Sequence, residues 1–160
     1  MFFPKSIIHF IVFLFIISGS LSLAEDYSDS DITKVVMLGS GNPFPDPERS
    51  GPSVAIIVND VPYLFDAGAG VWQATGAATP KYGGTVKALE SNNISKVFIT
   101  HLHSDHVVGL PSLILLPWAL GREAPLEVWG PPGTENMVKH LTEAYREDVG
   151  SRKYGLGQDN

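Results

Sequence analysis

The chain has 160 residues, 44% hydrophobic and 18% charged, which points to one globular domain and excludes a disordered chain. Its formal net charge of −6, with no Lys/Arg-rich patch interleaved with aromatics, argues against a protein built to grip a long polyanion. Zero cysteines exclude disulfides, a thiolate nucleophile and cysteine metal ligands.

The N-terminus stands apart. Lys5 precedes an apolar run over residues 7–17, broken only by His9, and small residues at Ser22 and Ala24 follow. This is the grammar of a secretory signal peptide over residues 1–24. The run is short for a retained span of about 20 residues. The expectation is therefore a secreted or periplasmic protein with no membrane segment after cleavage. Removing residues 1–24 takes away Lys5 and no acid, so the remaining 25–160 carries a formal charge of −7.

Residues 25–31 are acidic and Ser-rich, and read as a loose lead-in. Residues 32–38 predict a first strand, which Gly39-Ser40-Gly41 ends. Pro43, Pro45 and Pro47 keep a helix from starting there, so this G-x-G opens a rim loop and not a dinucleotide site. Residues 54–58 and 61–65 flank Asn59-Asp60, which predicts a hairpin with a two-residue turn. Asp66 follows directly. Residues 86–91 read as the end of a helix that stops at Asn92-Asn93. Residues 96–100 predict a short buried strand.

That strand runs into His101-Leu102-His103-Ser104-Asp105-His106, where three of the five histidines and a carboxylate fall within six positions. Imidazole is the commonest metal ligand at neutral pH, and a carboxylate beside it suits zinc. In an extended segment His101 and His103 share a face. A turn after His103 then brings Asp105 and His106 round together, so the loop offers two ligand pairs for two neighbouring ions. The alternative is a surface cluster with no metal role.

Residues 110–120 are nearly all apolar and predict a buried helix, bent by Pro117. Residues 126–129 predict another strand. Thr134 is expected to cap a helix that aligns Met137, Val138, Leu141, Ala144 and Tyr145 on one face. His140 lies at the edge of that stripe and reads as a surface or structural residue.

Four segments carry a family resemblance from about Val35 to about Tyr145: residues 38–43, residues 64–68, residues 100–109 and residues 130–134. In that order they resemble the metallo-β-lactamase-fold hydrolases, within them the branch similar to ribonuclease Z and the secreted arylsulfatase-type enzymes. The resemblance implies an α/β fold, the αββα sandwich, of which residues 25–160 supply mainly the N-terminal half as a mixed β-sheet with flanking helices. It implies two zinc ions held by His101, His103, Asp105 and His106, with Asp105 also orienting the attacking hydroxide or handling its proton. Asp66 is implied to support the histidine loop through hydrogen bonds, the alternative being a plain turn aspartate.

In the family a second half adds a histidine for each metal and a bridging aspartate, whereas this sequence has no histidine after His140. Each ion is thus short of the usual three protein ligands. The expectation is an N-terminal part of a longer protein, or a chain completed by a partner. The expected activity is metal-dependent hydrolysis of a small-molecule ester (phosphodiester, sulfate ester or lactone), with no strong nucleic-acid signal. The other expectation is a non-catalytic exported zinc-binding or interaction half-domain.

Overall fold

The structure, a computed structural model, describes residues 32–154. The expected signal peptide and lead-in lie outside the described residues, and Ile32 and Thr33, expected in the first strand, precede it.

Five strands form one sheet in chain order: β1 (Lys34–Gly39), β2 (Ser53–Val58), β3 (Val61–Phe65), β4 (Lys96–Phe98) and β5 (Glu127–Trp129). The first three pair antiparallel, and β4 and β5 add parallel, so the sheet is mixed as expected. Asn59 and Asp60 both have positive φ, 49° and 59°, as a tight two-residue hairpin with the sheet's twist demands.

Strand alternation puts Leu38, Ala55, Ile57, Leu64 and Val97 on one face, all buried. The chain between β3 and β4 contains α1 (Val71–Ala78), and the chain between β4 and β5 contains α3 (Leu110–Ala119). Val71 from α1 and Leu110 and Leu113 from α3, each fully buried, join the strand residues in one core. The opposite face is apolar too. Met37, Val54, Phe65, Phe98 and Trp129 stand in register across all five strands, with Phe98 stacked on Phe65 at 5.2 Å and on Trp129 at 4.7 Å.

Two expectations differ from what is observed. Residues 86–91 are not a helix end: they hold short 3-10 turns at Lys87–Leu89 and Ser91–Asn93. The helix of this crossover lies earlier, in α1, which starts at a left-handed Gly70 with no capping side chain. Thr134 is the first residue of α4 (Thr134–Ala144) and not its cap. Gly133 caps with φ 104°, and the Thr134 hydroxyl donates instead to Pro131 O at 2.8 Å. Pro117 sits inside α3, which continues past it. A proline has no N–H for the carbonyl four residues back, and that carbonyl, Leu113 O, accepts from buried Arg122 Nη1 at 2.9 Å.

Among the described residues, no helix is long and apolar enough to cross a membrane.

Candidate metal centre

β4 delivers the histidine loop. Its edge is held on one side by Ile99 N donating to Trp129 O at 2.7 Å, and on the other by Asp66 N donating to Phe98 O at 2.8 Å. After Thr100 the chain is extended through His103, then turns into the four-residue α2 (Ser104–Val107). This is the turn that the spacing of the motif called for.

The backbone of Asp66, Ala67 and Gly68 runs against this loop. Ala67 N donates to His106 O at 2.7 Å, and Gly109 N to Ala67 O at 2.8 Å. The two segments touch at glycines: a Cβ at Gly109 would lie 2.2 Å from Gly68 O, and one at Gly68 would lie 2.8 Å from Asp105 O. No side chain fits in either gap. Asp66 itself takes a left-handed conformation, φ 61°, which aspartate tolerates better than most residues.

The structure brings His101, His103, Asp105, His106 and Asp66 together. The ring of His101 lies 4.6 Å from that of His103 and 4.0 Å from that of His106. His101 Nε2 and His103 Nδ1 are 3.1 Å apart. Two imidazole nitrogens on one tetrahedral zinc stand about 3.3 Å apart at the usual bond lengths, so this pair fits an ion. Without one, the same distance is an N–H···N hydrogen bond. Asp105 Oδ2 and His106 Nε2, 3.7 Å apart, make the second pair. No set of three or more such side chains converges on one point among the described residues. The four side chains approach one another as two pairs, His101 with His103 and Asp105 with His106.

Asp66 stands behind both pairs. Its Oδ2 accepts from His106 Nδ1 at 2.8 Å, which leaves His106 Nε2 with a free lone pair toward Asp105. Its Oδ1 accepts from Thr100 N at 2.8 Å, and its two oxygens lie 3.0 and 2.8 Å from the Thr100 hydroxyl. Thr100 in turn lies 2.9 Å from His101 Nδ1. In the sequence Thr100 ends the predicted strand and opens the segment 100–109, with no role of its own assigned to it. Its one local signal is its place directly before His101. His140 is exposed on α4.

A cleft of about 530 Å³ opens beside the loop. Ser104 and Asp105 line one side, and Phe44, Arg49 and Ser50 of the proline-rich rim loop line the other. The rim is braced internally. Asn42 Oδ1 accepts from Phe44 N at 3.0 Å, and Arg49 Nε donates to Asp46 Oδ2 at 2.7 Å. The Arg49 bond, and then the Glu48 N–H, hold the Asp46 carboxyl below the usual carboxylate range.

Comparison with known proteins follows this geometry. A sequence model of the family described as "Anti-Pycsar protein Apyc1" matches residues 33–126. The chain is 36% identical over 122 residues to ribonuclease Z of Mycobacterium marinum, covering 74% of this chain and 40% of that protein. It is 38% identical over 122 residues to ribonuclease Z of Mycolicibacterium paratuberculosis, with the same coverage, 74% and 40%. The chain thus spans about 40% of the length of these curated relatives. Among solved structures, human tRNase Z (short form) superposes with a TM-score of 0.59 at 31% identity, over 70% of this chain and 40% of that one. The metallo-β-lactamase fold protein YhfI from Bacillus subtilis superposes with a TM-score of 0.53 at 21% identity, over 69% and 42%, and shows the fold alone.

One expectation is corrected by these relatives. A small-molecule ester substrate with no strong nucleic-acid signal conflicts with relatives named for the cleavage of RNA. The reason lies in what a formal charge measures. It sums every ionisable residue of the chain and does not record which of them line the cleft, where Arg49 and Asp105 lie.

Proposed function

The chain belongs to the Anti-Pycsar protein Apyc1 family, and from that premise we propose that it carries the metal loop of a metal-dependent phosphodiesterase acting on RNA. The observation that carries this reading is the pair of two-ligand sets, His101 with His103 and Asp105 with His106, backed by one carboxylate and opening on a cleft. A phosphodiester is preferred to a sulfate ester or lactone because the curated relatives are ribonucleases.

His101 Nε2 and His103 Nδ1 would hold one ion, and Asp105 and His106 Nε2 the other, with zinc favoured by the nitrogen and oxygen donors. When bound, the metal supplies Lewis acidity and makes water a stronger nucleophile at neutral pH. Asp105 lines the cleft, so it stands where the proton of the attacking water can be accepted as the oxygen bonds to phosphorus and the P–O bond to the leaving group breaks. The rim suits a nucleotide strand. Phe44 is 79% exposed at the mouth of the cleft, a platform on which a base stacks. Arg49 is anchored through Nε, and its two terminal nitrogens have no hydrogen bond among the described residues, which leaves them for a phosphate oxygen.

The test compares the full-length protein with its His101→Ala, His103→Ala double variant, by elemental analysis and by cleavage of an RNA oligonucleotide with and without chelator. The expected result is bound zinc and chelator-sensitive cleavage in the first, and loss of both in the second. Equal zinc in the two proteins would sink the ligand assignment. Zinc without cleavage would favour the non-catalytic zinc-binding reading.

A further inference from the structure

We infer that Thr100 is a positioning residue: its hydroxyl transmits the charge of Asp66 to His101 and sets which ring nitrogen of His101 faces the metal pair. This rests on the reading of His101 and His103 as ligands.

A threonine hydroxyl has one proton to give and two lone pairs to receive. The Thr100 oxygen lies 3.0 and 2.8 Å from the two Asp66 oxygens and 2.9 Å from His101 Nδ1. A carboxylate only accepts, so the hydroxyl proton points to Asp66. The oxygen is then left as an acceptor toward His101. His101 Nδ1 must carry the ring proton and donate it, and Nε2 is left with its lone pair. That nitrogen is the one 3.1 Å from His103 Nδ1. One orientation of the hydroxyl satisfies every contact, and the reverse orientation places the hydroxyl lone pairs against a carboxylate.

His106 obeys the same logic without an intermediary, since its Nδ1 meets Asp66 Oδ2 directly at 2.8 Å. One carboxylate therefore sets the tautomers of two histidines, one in each ligand pair. The direct route serves His106 and the Thr100 route serves His101. The Thr100 backbone N–H holds Asp66 Oδ1 at 2.8 Å whatever the side chain is, so the hydroxyl can be removed without freeing the carboxylate. Thr100 is also exposed, so its replacement disturbs little packing. A bound ion gains from this arrangement because the imidazole arrives already in the ligating tautomer and orientation.

The experiment uses the full-length protein and its Thr100→Val and Thr100→Ser variants. Nitrogen-15 NMR of histidine-labelled, metal-depleted protein reads the His101 tautomer, and competition with a chromophoric chelator reads zinc affinity. The wild type and Thr100→Ser are expected to show a neutral His101 protonated at Nδ1, with zinc affinities within about threefold of each other. Thr100→Val is expected to lose that single tautomer and to bind the first zinc about 10- to 100-fold more weakly, the range for a lost outer hydrogen bond. Far-UV circular dichroism of the metal-depleted variants checks folding, and Thr100→Ala replaces Thr100→Val if the latter does not fold. An unchanged tautomer and affinity in Thr100→Val would overturn the inference, as would a loss in Thr100→Ser as large as in Thr100→Val. If the His101→Ala, His103→Ala protein keeps its zinc, the ligand reading fails by itself, while the tautomer measurement, which needs no metal, still decides the role of Thr100.

Discussion

Asp66 meets three donors at once, Thr100 N, the Thr100 hydroxyl and His106 Nδ1, from a backbone conformation that only a few residue types adopt readily. Ser53 Oγ adds a further tie, donating to the Asp66 carbonyl at 2.9 Å. The carboxylate is nearly buried, at 8% residue exposure, so its charge acts with little screening on the His106 imidazole it touches. Asp66→Asn tests this at constant size. An amide can place its oxygen toward Thr100 or toward His106, and its NH2 group must then face the other. We expect zinc affinity to fall about 10- to 100-fold, as for other outer partners of ligating histidines. The fold should survive, as read by thermal unfolding of the metal-free protein. A wild-type zinc affinity in Asp66→Asn would show that Asp66 is a turn residue and not a support of the loop.

At the scale of elements, α3 and β4 are stapled together by a residue that the sequence reading passed over. Arg122 is 5% exposed and has no carboxylate partner among the described residues. It gives its hydrogen bonds to four carbonyls: Ala124 O at 3.0 Å, Ile94 O at 3.0 Å, Leu113 O at 2.9 Å and Ile114 O at 3.0 Å. Ile94 lies just ahead of β4, and Leu113 and Ile114 lie in α3, so one guanidinium joins the elements on either side of the histidine loop. Burial lowers the Arg122 pKa from its ordinary value. The Leu113 carbonyl is free for Arg122 because Pro117 offers it no N–H. Arg122→Met keeps much of the aliphatic volume and removes the donors, leaving buried carbonyls without partners. We expect a loss of about 3 kcal/mol in urea unfolding, since hydrogen bonds from charged groups and unpaired buried carbonyls each count at that level. A loss under about 1 kcal/mol would mean that water replaces the guanidinium at no net cost.

For the whole molecule, the sheet is apolar on both faces, but helices cover only one of them among the described residues. On the other face Val35 is 68% exposed, Met37 63% and Trp129 41%, in line with the stacked rings of Phe65 and Phe98. Contiguous apolar surface of this kind is uncommon on a free monomer. The 160-residue chain expressed by itself should therefore raise the fluorescence of a hydrophobic dye, and Met37→Ser with Trp129→Ser should lower that signal clearly. Dye binding no higher than that of a control protein whose sheet is covered on both faces would show that this face is closed in solution. The same scale explains why the expected substrate class was mistaken. The count of acidic residues is a total over the chain and says nothing of the few groups that line the cleft beside Asp105.

Local chemistry made much of this protein legible from residues alone. Asn59-Asp60 between two apolar runs specifies a hairpin because both residues tolerate positive φ. The i, i+2 spacing of His101 and His103, with a turn behind them, specifies that the two rings lie side by side because an extended chain alternates its faces. The helix α1 was missed because nothing local announces it: it has no capping side chain, and Gly76 lies inside it. Thr134 was misplaced by one position because a left-handed glycine caps as well as a hydroxyl does. What lies behind the histidines could be decided only in three dimensions. Asp66 reaches Thr100 across 34 residues and His106 across 40. Arg122 reaches Ile94 across 28. Periodicity records which face a residue takes, but not which distant group meets it there, and the tautomers of the ligating histidines depend on that second fact.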